Sequence, residues 1–266
     1  MTHPTLVATA NVLCDLSLPE ARTALDLVLE QLPDLVGLQE WSVRRAGLLR
    51  ASGSVGLLPP LARELPPRLP SRLPTLPLTR GSARREYLWS APLVGGCVVG
   101  ARADRYELVE ARSRVVSLVG RADNPERWWG IEPPRLMTVA VYRDLRAERT
   151  VSVICFHLTP GVQAGGRYRD DRPALAQRHR QEVRRLQQAV DEQLARGRTV
   201  FALGDSNFDG LRLTGLESAW QGQEDDPGTL GRRRKVDDVH GPGPAESVLT
   251  LRTPSDHKAV LVRRTV

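Results

Sequence analysis

Apolar residues come in short blocks separated by polar clusters, and the period within each block changes along the chain. Thr5 to Leu13 is a β-branched, mostly apolar run that predicts a buried strand. In residues 19–32, Ala21, Leu25, Val28, Leu29 and Leu32 recur at helical spacing behind Pro19 and Glu20, which predicts an amphipathic helix. Asp34 to Gln39 returns as a second strand, and such a strand-helix-strand unit builds a parallel pair through a right-handed crossover. Gly-rich apolar runs and charged turns predict strands and hairpins over 87–119, and a loop holding Trp128 and Trp129 covers 120–134. Strands follow over 136–142 and 151–156. Residues 174–196 form the longest helix, with Leu175, Val183, Leu186, Val190 and Leu194 on one face and many arginines opposite. Further strands are predicted over 199–203, 247–251 and 258–262. The pattern is one α/β domain in which strands outnumber helices.

One segment breaks the rhythm. Residues 51–85 carry Pro59, Pro60, Pro66, Pro67, Pro70, Pro74 and Pro77 among arginines. Proline removes backbone donors, so the segment reads as a long extended surface loop, either a solvated insertion or a polyproline docking site.

Composition narrows the class. Of 266 residues, 41% are hydrophobic and 26% charged, which excludes wholesale disorder and coiled coil. The net charge of +7 is carried almost wholly by arginine, since lysine occurs only at Lys235 and Lys258. Such a surplus suits a polyanionic partner without requiring one, and the arginine bias also fits a GC-rich coding sequence. No apolar stretch reaches the roughly 18 residues of a membrane span. Cys14, Cys97 and Cys155 are far apart and sit in apolar runs, which predicts buried thiols rather than disulfides or a zinc site. The first residues show no basic region ahead of the apolar strand, and the expected location is cytoplasmic.

The chemistry-bearing residues stand at strand ends, where a sheet fixes the backbone while side chains reach into a cleft. Asn11 is in the first strand, Gln39 and Glu40 follow the second, and His157 follows the run at 151–156. Asp205, Ser206 and Asn207 follow the run at 199–203, and Ser255, Asp256 and His257 precede the last strand. Each cluster alone reads as a solvated turn.

Together, in this order, they resemble the endonuclease/exonuclease/phosphatase superfamily, whose fold includes pancreatic deoxyribonuclease and exonuclease III-type apurinic endonucleases. The matching stretches are Thr9-Ala-Asn11, Leu38-Gln39-Glu40, Phe156-His157-Leu158, Leu203-Gly-Asp-Ser-Asn-Phe208, Gly228-Thr229, Val236-Asp237 and Ser255-Asp256-His257. The resemblance implies a four-layer α/β sandwich: two packed mixed β-sheets flanked by helices. It implies a Mg²⁺- or Mn²⁺-dependent phosphoesterase that attacks with an activated water. Glu40 would bind the metal, Asn11 would bond Glu40 or a water on the metal, and Asp256 would be a further ligand; hard oxygen donors suit Mg²⁺. Asp237 would orient His257, with Asp238 as its rival, and either His257 or Asp205 would be the base. Asn207 would hold a phosphoryl oxygen, His157 would donate to the phosphate, and Arg135 would face it. Leu13 stands where apurinic endonucleases carry a second acidic residue, which argues against that subgroup.

Arg233, within the basic run 232–235, the arginine-rich helix and Trp128-Trp129 favour a nucleic-acid substrate. The alternative substrates are a small nucleotide, a sugar or inositol phosphate, or a lipid headgroup. A non-hydrolytic binding protein would be expected to have lost some of Glu40, Asp205, Asn207, Asp256 and His257, and all are present.

Overall fold

The computed structural model describes residues 4–58, 60–61, 87–93, 95–121, 123, 128–223, 228–231 and 233–266. The chain begins with β1 (Pro4–Asn11), α1 (Leu18–Glu30) and β2 (Leu35–Gln39), followed by α2 (Ala46–Ser52). Next come β3 (Gly53–Leu58), β4 (Pro60–Leu61), β5 (Tyr87–Pro92), β6 (Val98–Arg102) and β7 (Tyr106–Ser117). A short ribbon of β8 (Gly120–Arg121) with β9 (Ile131–Glu132) precedes β10 (Arg135–Asp144) and β11 (Arg149–His157). A second ribbon, β12 (Gln163–Ala164) with β13 (Arg167–Tyr168), leads into α3 (Pro173–Leu194). The remaining strands are β14 (Thr199–Asp205), β15 (Asp237–His240), β16 (Ser247–Leu251) and β17 (Ala259–Thr265).

Two sheets result. One has seven strands in the order β16-β17-β1-β2-β6-β5-β3, and the other six in the order β15-β14-β11-β10-β7-β4. Alternation along each strand sends side chains to opposite faces and so divides the core into layers. Val7, Leu35 and Val99 of the first sheet pack on Ala140, Val153, Phe201 and Leu203 of the second. The neighbouring residues Ala8, Val36 and Leu38 pack instead on Ala21, Leu25 and Val28 of α1. On the far side, Ile154 and Ala202 receive Leu186 and Val190 of α3. The architecture is therefore the four-layer α/β sandwich expected.

The first unit is as the pattern implies, with β1 and β2 parallel and Asn11 level with Gln39. Ser17 caps α1 and exchanges bonds with Glu20 in a reciprocal capping box. Between the sheets, a Cβ added at Gly37 would stand 1.9 Å from Leu203 Cδ1. A glycine there lets β2 and β14 approach closely, next to the strand ends that carry Glu40 and Asp205.

The first residues of the Pro-rich segment are not loop. Residues 51–52 end α2, and Gly53–Leu58 forms edge strand β3, parallel to β5. That strand ends at Leu58, Pro60–Leu61 forms β4 parallel to β7, and residue 59 and residues 62–86 lie outside the described residues. Among the cysteines, Cys97 and Cys155 are buried as expected, but Cys14 is exposed because β1 has ended at Asn11 and the chain has left the sheet.

Candidate active site

Register brings the strand-end residues together. Asn11 and Gln39 are level at the ends of parallel strands in the first sheet. In the second, His157 pairs in register with Asp205 and Asp205 with Asp237. His257 lies just ahead of β17, which pairs with β1. The cluster therefore draws on strand ends of both sheets.

Asn11 joins the two halves. Its Nδ2 donates to Glu40 Oε1 at 3.3 Å and to Asp205 Oδ2 at 3.0 Å, while its Oδ1 accepts from the Leu13 amide at 3.0 Å. Glu40 Oε2 accepts from the Cys14 amide at 3.0 Å. Glu40 has a left-handed backbone, φ 57°, as does Asn207 at 53°; strain of this kind concentrates at functional sites. Gly96 packs on that turn, and a Cβ there would be 2.8 Å from Glu40 Cα.

Two imidazoles face the carboxylates. His157 Nε2 is 3.8 Å from Glu40 Oε1 and 3.6 Å from Asp205 Oδ2. His257 Nε2 is 3.9 Å from Asp205 Oδ2, and its Nδ1 bonds Asp237 Oδ2 at 2.8 Å. Asp237 is thus the partner of His257. Asp238 points away, accepting from Ser218 Oγ at 2.6 Å and the Ala219 amide at 3.0 Å, because successive strand residues face opposite sides. Arg135 Nη1 lies 3.3 Å from His157 Nδ1 and its Nη2 3.8 Å from the buried Glu132 carboxylate.

Burial raises the Glu40 carboxyl, but the His157 charge and the bonds from Cys14 and Asn11 outweigh it and bring it down to about 2. Burial and the neighbouring Asp237 charge push Asp205 up to about 7. Burial pulls the His257 imidazole down, but its bond to Asp237 and that residue's charge push it up to about 9.

Oxygen donors dominate the cluster, as a hard divalent cation requires. Asp205, Asp237 and His257 form a buried group whose ligand atoms lie within 4.8 Å of one another and could hold a metal. Asp237 Oδ1 is buried without a hydrogen-bond partner among the described residues. Glu40 offers a second, more open carboxylate. Asp256 is exposed, and its carboxylate accepts from Ser255 Oγ at 3.4 Å.

Other predicted residues have varied positions. Asn207 donates its amide N–H to Asp205 Oδ1 at 2.7 Å and its Nδ2 to Leu158 O at 3.1 Å. Arg233 is exposed on the loop in which Leu230 forms an isolated bridge with His257; Arg232 lies outside the described residues. The Trp128 side chain also lies outside them, whereas Trp129 is fully exposed. Arg178 turns inward from α3 to bond Glu182 and Thr159, so it does not belong to a free basic face.

Several supporting residues had no sequence signal. Gln163 bonds both the Asn207 carbonyl and the Asp209 amide, and buried His179 bonds the Ser206 carbonyl at 2.7 Å. Arg45 bonds four carbonyls of the loop after Asn11. Contacts to main-chain atoms leave no pattern of residue types.

No protein-family model matches the chain, and no curated protein matches it in sequence. Solved structures do match in shape along its whole length. An endonuclease/exonuclease/phosphatase family protein from Bacteroides thetaiotaomicron aligns with TM-score 0.63 at 15% identity, covering 100% of this chain and 98% of that one. This chain has the endonuclease/exonuclease/phosphatase fold. Among other structures with this fold, D. rerio TDP2 complexed with single strand DNA product aligns with TM-score 0.62 at 15% identity, covering 98% of each chain. A mannosyl-6-phosphatase of Bacteroides thetaiotaomicron aligns with TM-score 0.58 at 16% identity, covering 98% of this chain and 99% of that one. In the endonuclease/exonuclease/phosphatase fold of this chain, the cluster described above lies at one end of the paired sheets.

Proposed function

We propose that the protein is a divalent-metal-dependent phosphoesterase that cleaves phosphodiesters with an activated water, with nucleic acid as the favoured substrate. The observation that carries this is the convergence of Glu40, Asp205, Asp237, His157 and His257 around Asn11 at the ends of two sheets. Glu40 would hold Mg²⁺ or Mn²⁺, with Asn11 fixing its carboxylate and Asp256 as a further carboxylate at the rim. A bound cation would supply charge neutralisation to the phosphate oxygens. The remaining work falls to the side chains. Asp205 Oδ2, oriented by Asn11 and by the Asn207 amide, accepts the proton of the attacking water. His257, held by Asp237, presents Nε2–H toward the same oxygen and toward an incoming phosphate. His157 donates to the phosphate with Arg135 behind it, and Asn207 keeps the Asp205 loop in place.

Nucleic acid is favoured because exposed Arg233 lies on the loop that bridges to His257, and basic residues bind phosphates through counterion release. The likeness to a DNA-bound TDP2 agrees with this reading, and the likeness to a mannosyl-6-phosphatase supports the second reading, a small phosphoester. The test is parallel hydrolysis of single- and double-stranded DNA, bis-p-nitrophenyl phosphate and p-nitrophenyl phosphate, with Mg²⁺, Mn²⁺ or EDTA. Metal-dependent cleavage of DNA that Asp205→Asn abolishes is expected. Cleavage of only the small esters would move the substrate to a small molecule, and no hydrolysis in any condition would overturn the enzyme reading.

A further inference from the structure

We propose that Arg45 is a positioning residue that holds the loop of residues 12–16 in the form that aims a backbone amide at Glu40. Arg45 is buried, and Nη1 bonds the Val12 carbonyl at 2.9 Å. Its Nη2 meets the carbonyls of Leu13 at 3.0 Å, Cys14 at 2.8 Å and Leu16 at 2.7 Å. One planar guanidinium thus gathers four carbonyls of a five-residue turn, an arrangement that a lysine ammonium, a compact point charge, does not reproduce.

The turn has a reason to need holding. Leu13 is forced to φ 33°, a left-handed conformation that is costly for a branched side chain. In that conformation the Leu13 amide points at Asn11 Oδ1 and the Cys14 amide at Glu40 Oε2, each at 3.0 Å. The two amides therefore orient the two residues proposed to serve the metal, whereas these Arg45 bonds go to the loop carbonyls and its charge acts on Glu40 through space. The Cys14 main chain bonds Glu40 Oε2, and the thiol also faces the Glu40 and Asp15 carboxylates. Outer partners of this kind set ligand orientation, and losing them typically costs 10–100-fold in metal affinity.

The metal part of this inference rests on the reading of Glu40 as a ligand, while the loop part does not. The test uses the full chain as wild type, Arg45→Lys, Arg45→Gln and Cys14→Ala. Amide hydrogen exchange is read at Leu13 and Cys14, Mn²⁺ binding is read by electron paramagnetic resonance, and melting is followed by circular dichroism. In both Arg45 variants the Leu13 and Cys14 amides should lose protection while the amides of β1 and β2 keep theirs. The Mn²⁺ dissociation constant should rise roughly 10–100-fold, and substrate KM at saturating metal should hold within about twofold. Cys14→Ala keeps the main-chain amide and should match wild type in the exchange of residues 13 and 14. Unchanged exchange in a folded Arg45→Lys protein overturns the proposal, as does a Cys14→Ala protein whose loop amides lose protection as those of Arg45→Lys do. If neither Arg45 variant folds, Arg45 is a folding residue and the proposal falls. Wild type that binds no Mn²⁺ overturns the reading of Glu40 alone, and the exchange measurement still decides the role of Arg45.

Discussion

Asp205 Oδ2 lies 3.0 Å from an amide nitrogen of Asn11 and within 3.6 and 3.9 Å of two imidazole nitrogens. A buried carboxylate so surrounded is poised to exchange a proton, and Asp205→Asn should lower turnover roughly 10²–10⁴-fold at saturating metal, read on bis-p-nitrophenyl phosphate. His257 gives a pH signature. Its folded value of about 9 lies above its ordinary 6.5, so its pairing with Asp237 stabilises the fold fully below pH 6.5 and less as pH rises through 9. Proton titration of the ring by NMR should show a midpoint that drops in Asp237→Asn, and urea midpoints of wild type and variant should converge above pH 9. Gly96→Ala forces a methyl against the Glu40 backbone and should cut metal-dependent turnover at least about tenfold while the protein stays folded. The strand-end residues were legible because their order along the chain has a familiar grammar. The resemblance named Asp237 over its rival Asp238, and the register of β15 decides for it, since Asp237 is the carboxylate that faces His257.

The apolar blocks of β1, α1, β2 and α3 made those elements readable. The helix α2 was not anticipated: it has seven residues and Arg45 as its N-cap, with no side-chain cap bond. Nor was β3, an edge strand bounded by proline whose pairing with β5 leaves no periodic trace. Helix α3 contains a further element-scale test. Glu182 is fully buried and accepts from Ser117 Oγ, the Thr159 amide and hydroxyl, and Arg178 Nε. This ties α3 to the end of β7 and to the turn after His157. Removing one member of such a buried ion pair costs about 3–5 kcal/mol, and Glu182→Ala should lose that much in urea unfolding.

At the scale of the whole molecule, substrate choice is an electrostatic question. If a single strand runs past His157 and Arg233, log affinity should fall with log salt at a slope of about −0.7 for each phosphate contacted. Charge reversal at exposed Arg233 should flatten that slope without changing hydrolysis of p-nitrophenyl phosphate. A flat response in wild type would favour the small-substrate reading. The length and arginine surplus of the chain could not distinguish these cases, because many of the arginines are spent internally, as at Arg178, Arg105 and Arg264.

The placement of β17 between β16 and β1 has a further consequence. Asn11 and Glu40 emerge early in synthesis, but His257 reaches the cluster only when β17 slots into the sheet beside β1. A nascent chain therefore holds Asn11 and Glu40 without His257 beside them until that late strand docks. If the cluster is hydrolytic as proposed, this strand order delays its assembly until β17 has docked.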